Sequence, residues 1–193
     1  RREEHMKKKV IIGVVIALIV IAIILGVVFM VTKTPKTNLP QIEKAEDLST
    51  LINEIYKGKE ENLPRLNTQI VDVNDSNAIK YTTGLDNGND LQFVAVSEPM
   101  MSSQAYSLVL AKVKDGVDAS NIAKTMSEQI DTRKWICVSA EKLYATNSGD
   151  VVCLVMSNEE WAKPVYDGFK ELAGQVGEEY TKTEELPELP EEL

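Results

Sequence analysis

The feature that most constrains this chain is a run of 22 consecutive residues without a polar side chain, from Val10 to Val31. As an α-helix the run would be about 33 Å long, enough to cross the roughly 30 Å hydrocarbon core of a bilayer. Helices of soluble proteins are seldom apolar on every face over such a length. The run therefore predicts a transmembrane helix over residues 10–31, and the membrane is the first partner that we expect.

Lysines flank the run unequally, with Lys7–Lys9 before it and Lys33 and Lys36 after it. Because the larger positive cluster stays in the cytoplasm, we predict a single-pass protein of the cell membrane. Its residues 1–9 would be cytoplasmic and its C-terminal domain extracytoplasmic. A cleaved signal peptide is the alternative, but its apolar region would be about 7–15 residues long and would end at a small-x-small site. The sequence Phe29–Lys33 has no such site, so we expect an uncleaved signal anchor.

The net charge of −9 is the sum of two opposite parts. Residues 1–36 carry seven Lys and Arg against two Glu, and residues 37–193 carry 14 Lys and Arg against 28 Asp and Glu. The acidic second part argues against nucleic acid as a partner, because nucleic-acid binding requires a basic face. Met6–Lys9 resembles an ordinary bacterial start, which leads to the hypothesis that residues 1–5 are a gene-call artefact.

Composition divides the rest of the chain into three parts. Prolines, threonines and lysines over residues 32–44 predict an extended spacer. Residues 45–177 are sufficient for one extracytoplasmic domain with its own core. Residues 178–193 contain seven Glu and a repeated Leu-Pro-Glu, which predicts an acidic disordered tail. A recognition motif is the alternative interpretation of that tail.

Apolar residues recur with helical spacing in three places. The first stripe follows Asp47 as a cap, the second follows Asp118, and the third follows a capping box at Ser157–Glu160. The stretch Asp75–Gly84 has a cap residue and a terminal glycine that favour a short helix, whereas Asn87-Gly88 favours a hairpin; we expect the helix.

Runs of aliphatic and aromatic residues predict four strands, and Asn147–Asp150 predicts a turn into the last of them. Strand pairs that alternate with helices predict an α+β domain: a small, mainly antiparallel sheet with helices packed on one face. The four predicted strands are Leu91–Ser97, Tyr106–Lys114, Trp135–Ala140 and Val151–Ser157.

No motif in the sequence points to catalysis. The one histidine of the chain is His5, so the external part has no histidine base. No Ser-x-x-Lys supports a Ser-Lys dyad, and no phosphate loop or dinucleotide fingerprint is present. The oxygen-rich stretches Asp72–Asp75 and Asp86–Asp90 lack the spacing of a calcium loop and are explained better by turns and caps. We therefore predict no catalytic residue, no metal ligand and no cofactor.

The two cysteines, Cys137 and Cys153, either form a disulfide or remain free thiols. An oxidising exterior would permit a disulfide. A turn centred on Ser148-Gly149, however, places Cys153 opposite Tyr144 in the neighbouring strand. Two buried free thiols are therefore the favoured prediction, and the disulfide remains the alternative.

One segment is a candidate partner surface. Pro99, Met100 and Met101 follow a predicted strand, and adjacent methionines in an exposed loop make a soft, adaptable surface. Tyr106 begins the next strand and completes this candidate set. The alternative is a strand end that folds over the core.

The stretch Ser97–Gly116 combines a strand, a Pro-Met-Met segment and a strand that ends in Val-Lys-Asp-Gly. With the helix, the late apolar strand and the closing helix that follow, it resembles domain-of-unknown-function family 4358 over about residues 48–172. The resemblance implies a membrane-anchored or lipoprotein-like bacterial protein. Many members use a lipidated cysteine, whereas this chain has an apolar helix instead. The resemblance implies no activity and no site residue.

These observations together favour a membrane-anchored, non-enzymatic binding or interaction domain of the bacterial cell envelope, with an envelope protein as its partner. The alternative is an envelope hydrolase or modifying enzyme that uses carboxylates, since a pair of acids is the minimum that such chemistry needs. The sequence does not distinguish any pair of acids for that role.

Overall fold

The computed structural model describes residues 37–101 and 103–184. Four α-helices and six strands make up these residues, together with a short 3₁₀ turn at Glu60–Asn62. The helices are α1 (Ala45–Tyr56), α2 (Ser76–Thr83), α3 (Ala119–Gln129) and α4 (Glu159–Ala173). The strands are β1 (Leu66–Val71), β2 (Leu91–Pro99), β3 (Ser107–Val113), β4 (Lys142–Ser148), β5 (Val151–Ser157) and β6 (Tyr180–Thr183).

The strands form one six-stranded sheet in the order β1-β2-β3-β5-β4-β6, and every pair of neighbours is antiparallel. This confirms the predicted α+β class and the antiparallel sheet. The hairpin between β4 and β5 turns at Gly149–Asp150, one residue later than predicted, and Gly149 adopts the positive φ of 57° that such a turn requires. The central strands β3 and β5 are buried at every position.

Helices cover both faces of the sheet, so the prediction of helices on one face is wrong. Helices α1 and α4 pack on one face and form the first core, while α2 and α3 pack on the other and form the second core. Strand β5 shows why: Cys153 and Val155 point into the first core, and Val152 and Leu154 point into the second. A run that is apolar at both alternating positions indicates burial on both faces.

Helix α2 begins and ends where the sequence predicts. The Asp75 carboxylate accepts hydrogen bonds from the N–H groups of Asn77 and Ala78, which satisfies donors that have no partner within the helix. Gly84 ends the helix with a φ of 80°. A Cβ at Gly84 would lie 2.5 Å from the backbone nitrogen of Ile130, so the close approach also requires glycine.

Of the other three predicted caps, the structure confirms one and corrects two. Asp118 caps α3 as expected. The N-cap of α1 is Lys44 rather than Asp47, and the Asp47 carboxylate instead accepts hydrogen bonds from the N–H groups of Glu43 and Lys44. Helix α4 is capped by Asn158, which accepts from the N–H of Trp161, and not by a box that begins at Ser157.

Strands β2, β3 and β5 match the predictions, but the predicted strand Trp135–Ala140 is wrong. Those residues form a loop, and the strand that follows is Lys142–Ser148. The two edge strands β1 and β6 were not predicted. Both have mixed polar and apolar residues and are only partly buried, so neither shows the apolar run on which strand prediction depends.

The predicted limits of the domain also need correction. Leu39 and Ile42 are buried in the first core, and the N–H of Asn38 donates to the carbonyl of Ala173; the end of the predicted spacer therefore packs on α4. Tyr180–Thr183 pairs with β4, so the first part of the predicted disordered tail is a strand. Residues 185–193 lie outside the described residues.

No helix within residues 37–101 and 103–184 is long and apolar enough to cross a bilayer. The predicted transmembrane helix at residues 10–31 lies outside the described residues, and so does the predicted cytoplasmic segment at residues 1–9.

Candidate functional site

The structure separates the four residues of the predicted partner surface. Pro99 ends β2, and the two methionines that follow are exposed, Met100 by 70% and Met101 by 63%. Tyr106 is fully buried in the first core, where its hydroxyl donates to the hydroxyl of Tyr56 over 3.1 Å. Tyr106 is therefore not part of any surface, because its ring fills the space between the sheet and α1.

A buried ion pair lies beside the two methionines. Lys134, in the loop after α3, places its Nζ 2.6 Å from Oε1 of Glu98 near the end of β2. Only 3% of the Lys134 side chain is exposed, against 24% of the Glu98 side chain. Burial lowers the pKa of Lys134, and the carboxylate of Glu98 opposes that shift. The charge is retained inside the protein because its counter-charge lies in contact with it.

Aromatic rings cover the remaining sides of this ammonium group. Its Nζ lies 4.5 Å from the ring centroid of Tyr81 and 5.4 Å from that of Trp135, distances typical of cation–π contacts. It also lies 3.4 Å from the Tyr81 carbonyl and 3.4 Å from the Ser107 hydroxyl. We call these residues the Lys134 cluster: Tyr81, Glu98, Ser107, Lys134 and Trp135.

The Lys134 cluster includes a serine and a lysine at hydrogen-bond distance, which is the composition of a Ser-Lys dyad. A nucleophile must meet its substrate, and Ser107 is completely buried in β3. The ammonium group of Lys134 is paired with Glu98 and covered by rings. The role that this arrangement supports is therefore structural: the ion pair fixes the loop that contains Lys134 to the end of the sheet.

Exposed apolar side chains lie two or three residues beyond each member of this ion pair. Met100 is two residues beyond Glu98, and Ile136, which is 68% exposed, is two residues beyond Lys134. The ion pair therefore holds both segments at the same end of the sheet. The N–H of Met100 also donates to the carbonyl of Arg65, which fixes its backbone. We call Met100, Met101 and Ile136 the methionine surface.

Sequence reasoning found the methionines but missed Ile136 and Lys134. It placed Ile136 inside a strand, where an isoleucine would be buried. The residues next to Lys134 in the sequence do not indicate that it pairs with Glu98, which lies 36 positions earlier in the chain. Solitary exposed apolar residues are ordinary, but several large ones held together indicate an interaction site.

The oxygen-rich stretches serve as turns and caps, as predicted. Asp72 accepts a hydrogen bond from the N–H of Asn74, and Asn87 accepts one from the N–H of Asn89. Asp86 forms an ion pair with Lys80 at 2.8 Å. Among the residues that the structure describes, three or more potential metal ligands never come together.

Among the described residues, every carboxylate with a shifted pKa is shifted downward. A general acid at neutral pH needs a raised pKa. The pKa of Glu179 is lowered, chiefly by the hydrogen bond from Lys170, and that of Glu184 by the hydrogen bond from Lys182. These carboxylates are stabilised in their charged form, so they give the hydrolase alternative no support.

One open groove lies between α3 and β6, with a volume of about 500 Å³. Its lining mixes both charges with hydroxyl groups. Its lining residues are Ser127, Glu128, Glu179, Tyr180, Thr181 and Lys182.

Both cysteines are free, so the disulfide alternative is wrong. Cys153 is buried and pairs in register with Thr146 rather than with Tyr144. Cys137 is exposed, not buried as predicted, because it lies in the loop after Lys134 and not in a strand. Its φ of 61° is unusual for a residue other than glycine.

No family model matches this chain, and neither a curated protein nor a solved structure shows significant similarity to it. The resemblance to domain-of-unknown-function family 4358 therefore stays a prediction.

Proposed function

We propose that this protein is a membrane-anchored, extracytoplasmic binding domain of the bacterial cell envelope, and that it acts without catalysis. Its partner in this proposal is an envelope protein that contacts the methionine surface. The observation that carries the proposal is the exposure of Met100, Met101 and Ile136 beside a buried ion pair that keeps them in place.

Two properties of this surface favour a protein partner. Methionine side chains are flexible and polarizable, so they adapt to apolar groups of different shapes. The backbone beneath them is fixed by the Lys134–Glu98 pair and by the hydrogen bond to Arg65. A fixed backbone reduces the entropy lost on binding, because only side chains become ordered.

The membrane anchor and the outward orientation are supported by the sequence. The 22-residue apolar run is long enough to span a bilayer, and the larger lysine cluster precedes it. An extracytoplasmic domain with a net charge of −14 over residues 37–193 is repelled by anionic lipids and wall polymers. This charge favours a protein over such a polymer as the partner.

The proposal can be tested by capturing partner proteins from native membranes with the wild type and with a variant of the methionine surface. The full-length chain and the variant M100S/M101S are each used to recover partners from membranes of the source organism. The matched control is L172S, which changes a residue that is also exposed, by 37%, but lies on α4.

We expect the wild type and L172S to recover the same envelope protein, and M100S/M101S to recover about tenfold less of it. A loss of that size corresponds to one or two buried side chains. Equal recovery by M100S/M101S, or no reproducible partner for the wild type, would contradict the proposal.

A further inference from the structure

The two edges of the sheet differ in how they are protected. Native proteins usually shield an edge strand by making it short or by placing charges on it. Strand β6 has four residues, includes Lys182 and is followed by Glu184. Strand β1 has six residues, Leu-Asn-Thr-Gln-Ile-Val, and carries no charge. The edge at β1 is therefore open to another strand.

The backbone of β1 shows which groups are available at this edge. The N–H of Met100 donates to the carbonyl of Arg65, in register with the pairing of Leu66 and Pro99. In antiparallel strands, alternate residues direct their N–H and C=O groups toward the same neighbour. Leu66, Thr68 and Ile70 therefore direct these groups away from β2, toward the side on which no described strand lies.

The side-chain types of β1 are arranged symmetrically about Thr68. Around Thr68 the order is apolar, amide, hydroxyl, amide, apolar: Leu66, Asn67, Thr68, Gln69 and Ile70. In antiparallel pairing of two such strands about Thr68, Leu66 faces Ile70 and Asn67 faces Gln69. Each pair combines like with like, and apolar pairs and hydroxyl pairs stabilise neighbouring strands. Ile70, which is 43% exposed, would then be covered.

The charges at the ends of β1 also favour this arrangement. Arg65 directly precedes the strand and Asp72 directly follows it, and both are exposed. Antiparallel pairing centred on Thr68 places Arg65 of one copy opposite Val71 of the other, one position from Asp72, at both ends. Parallel pairing would bring like charges together. This complementarity is specific to the strand, since residues 37–193 as a whole are acidic.

From these observations we propose that β1 pairs with β1 of a second copy of this chain, antiparallel and centred on Thr68. The two sheets then join into one continuous sheet across a two-fold axis, which is the usual symmetry of a dimer. The outward N–H and C=O groups of Leu66, Thr68 and Ile70 supply the hydrogen bonds. This proposal does not rest on the proposed function.

Sedimentation of the full-length chain in density-matched detergent tests the pairing and its register. The variant N67K/Q69K places lysine opposite lysine at this interface, whereas N67K/Q69E places lysine opposite glutamate. We expect the wild type and N67K/Q69E to dimerise and N67K/Q69K to dimerise about tenfold more weakly. A monomeric wild type, or equal dimerisation of N67K/Q69K, would overturn the proposal, as would an N67K/Q69E that dissociates like N67K/Q69K.

Disulfide trapping gives a second, independent measurement on the C137S background. At the centre of the pairing, the two Thr68 Cα atoms would lie about 5.5 Å apart, within the span of a disulfide. The two Asn67 residues would be offset by two positions, beyond that span. We expect T68C to form a covalent dimer under mild oxidation and N67C to form at least about tenfold less. No dimer from T68C, or as much from N67C, would overturn the proposal.

Discussion

Lys134 keeps a charge inside the protein because Glu98 lies 2.6 Å from it and two aromatic rings cover it. The pair joins the loop after α3 to the end of β2. A buried pair seldom adds much stability over an apolar pair, but removal of one partner leaves the other uncompensated. The role of this pair in positioning the methionine surface is therefore open to measurement by substitution.

We expect K134M to lower the free energy of unfolding by about 2 kcal/mol, because it leaves the carboxylate of Glu98 partly buried without its counter-charge. The double variant E98Q/K134M removes both charges and should recover part of this loss. Urea unfolding of the full-length chain in detergent, followed by tryptophan fluorescence, measures both. Equal stability of K134M and the wild type would contradict the account of the pair.

Tyr56 provides a test at alkaline pH. Burial raises the pKa of its phenol to about 12, above the usual 10.0. Between these values the folded state retains the proton that the unfolded state releases, so the free energy of unfolding falls as the pH rises from 10 to 12. Tyr56 alone accounts for roughly 2–3 kcal/mol of that fall.

The variant Y56F removes this contribution, because phenylalanine fills the same space and does not titrate. We expect a distinctly shallower decline of the free energy of unfolding in Y56F across this pH range. Lys134, with its lowered pKa, acts in the opposite direction up to about pH 10.5, the usual pKa of a lysine. It does so in both proteins and therefore cancels in the comparison. Identical slopes would show that Tyr56 does not retain its proton.

At the scale of the element, local chemistry predicted some features and long-range contacts decided others. Asp75 and Gly84 predicted both ends of α2 because a cap and a left-handed turn depend on adjacent residues. The run Val151–Met156 also carried a usable signal, since its unbroken apolar pattern indicates burial on both faces. Helices on both faces were therefore predictable from β5.

Strand β4 could not be predicted from its own residues. Its last three, Thr146, Asn147 and Ser148, are polar and yet buried. The Thr146 and Ser148 hydroxyls donate to the carbonyls of Glu178 and Gln175, and the carbonyl of Asn147 accepts from the N–H of Gly177. The partners that make this burial possible lie about 30 residues later, where local patterns do not reach.

The packing of α2 on the segment after α3 is tested at Gly84. Both Gly84 and Gly58 have positive φ, 80° and 74°, but a Cβ at Gly58 would meet nothing within 4 Å. We expect G58A to lower the free energy of unfolding by about 1 kcal/mol, the strain of that conformation alone. G84A should cost about 3 kcal/mol, because its Cβ also meets the backbone of Ile130. Equal losses would contradict the close approach.

At the scale of the whole molecule, we propose that the described domain is the outward part of a membrane protein. Its one exposed thiol suits a direct test of this orientation. Cys137 is exposed, whereas Cys153 is fully buried and its pKa is raised by that burial. A reagent that requires an accessible thiolate should therefore modify Cys137 and spare Cys153 in the folded protein.

The most direct measurement is labelling of intact cells, after mild reduction, with a maleimide that does not cross membranes. We predict that the full-length chain is labelled on intact cells as fully as after permeabilisation, that C137S is not labelled, and that Cys153 reacts after denaturation alone. Labelling of Cys137 that begins once the membrane is permeabilised would place the domain in the cytoplasm and contradict the account.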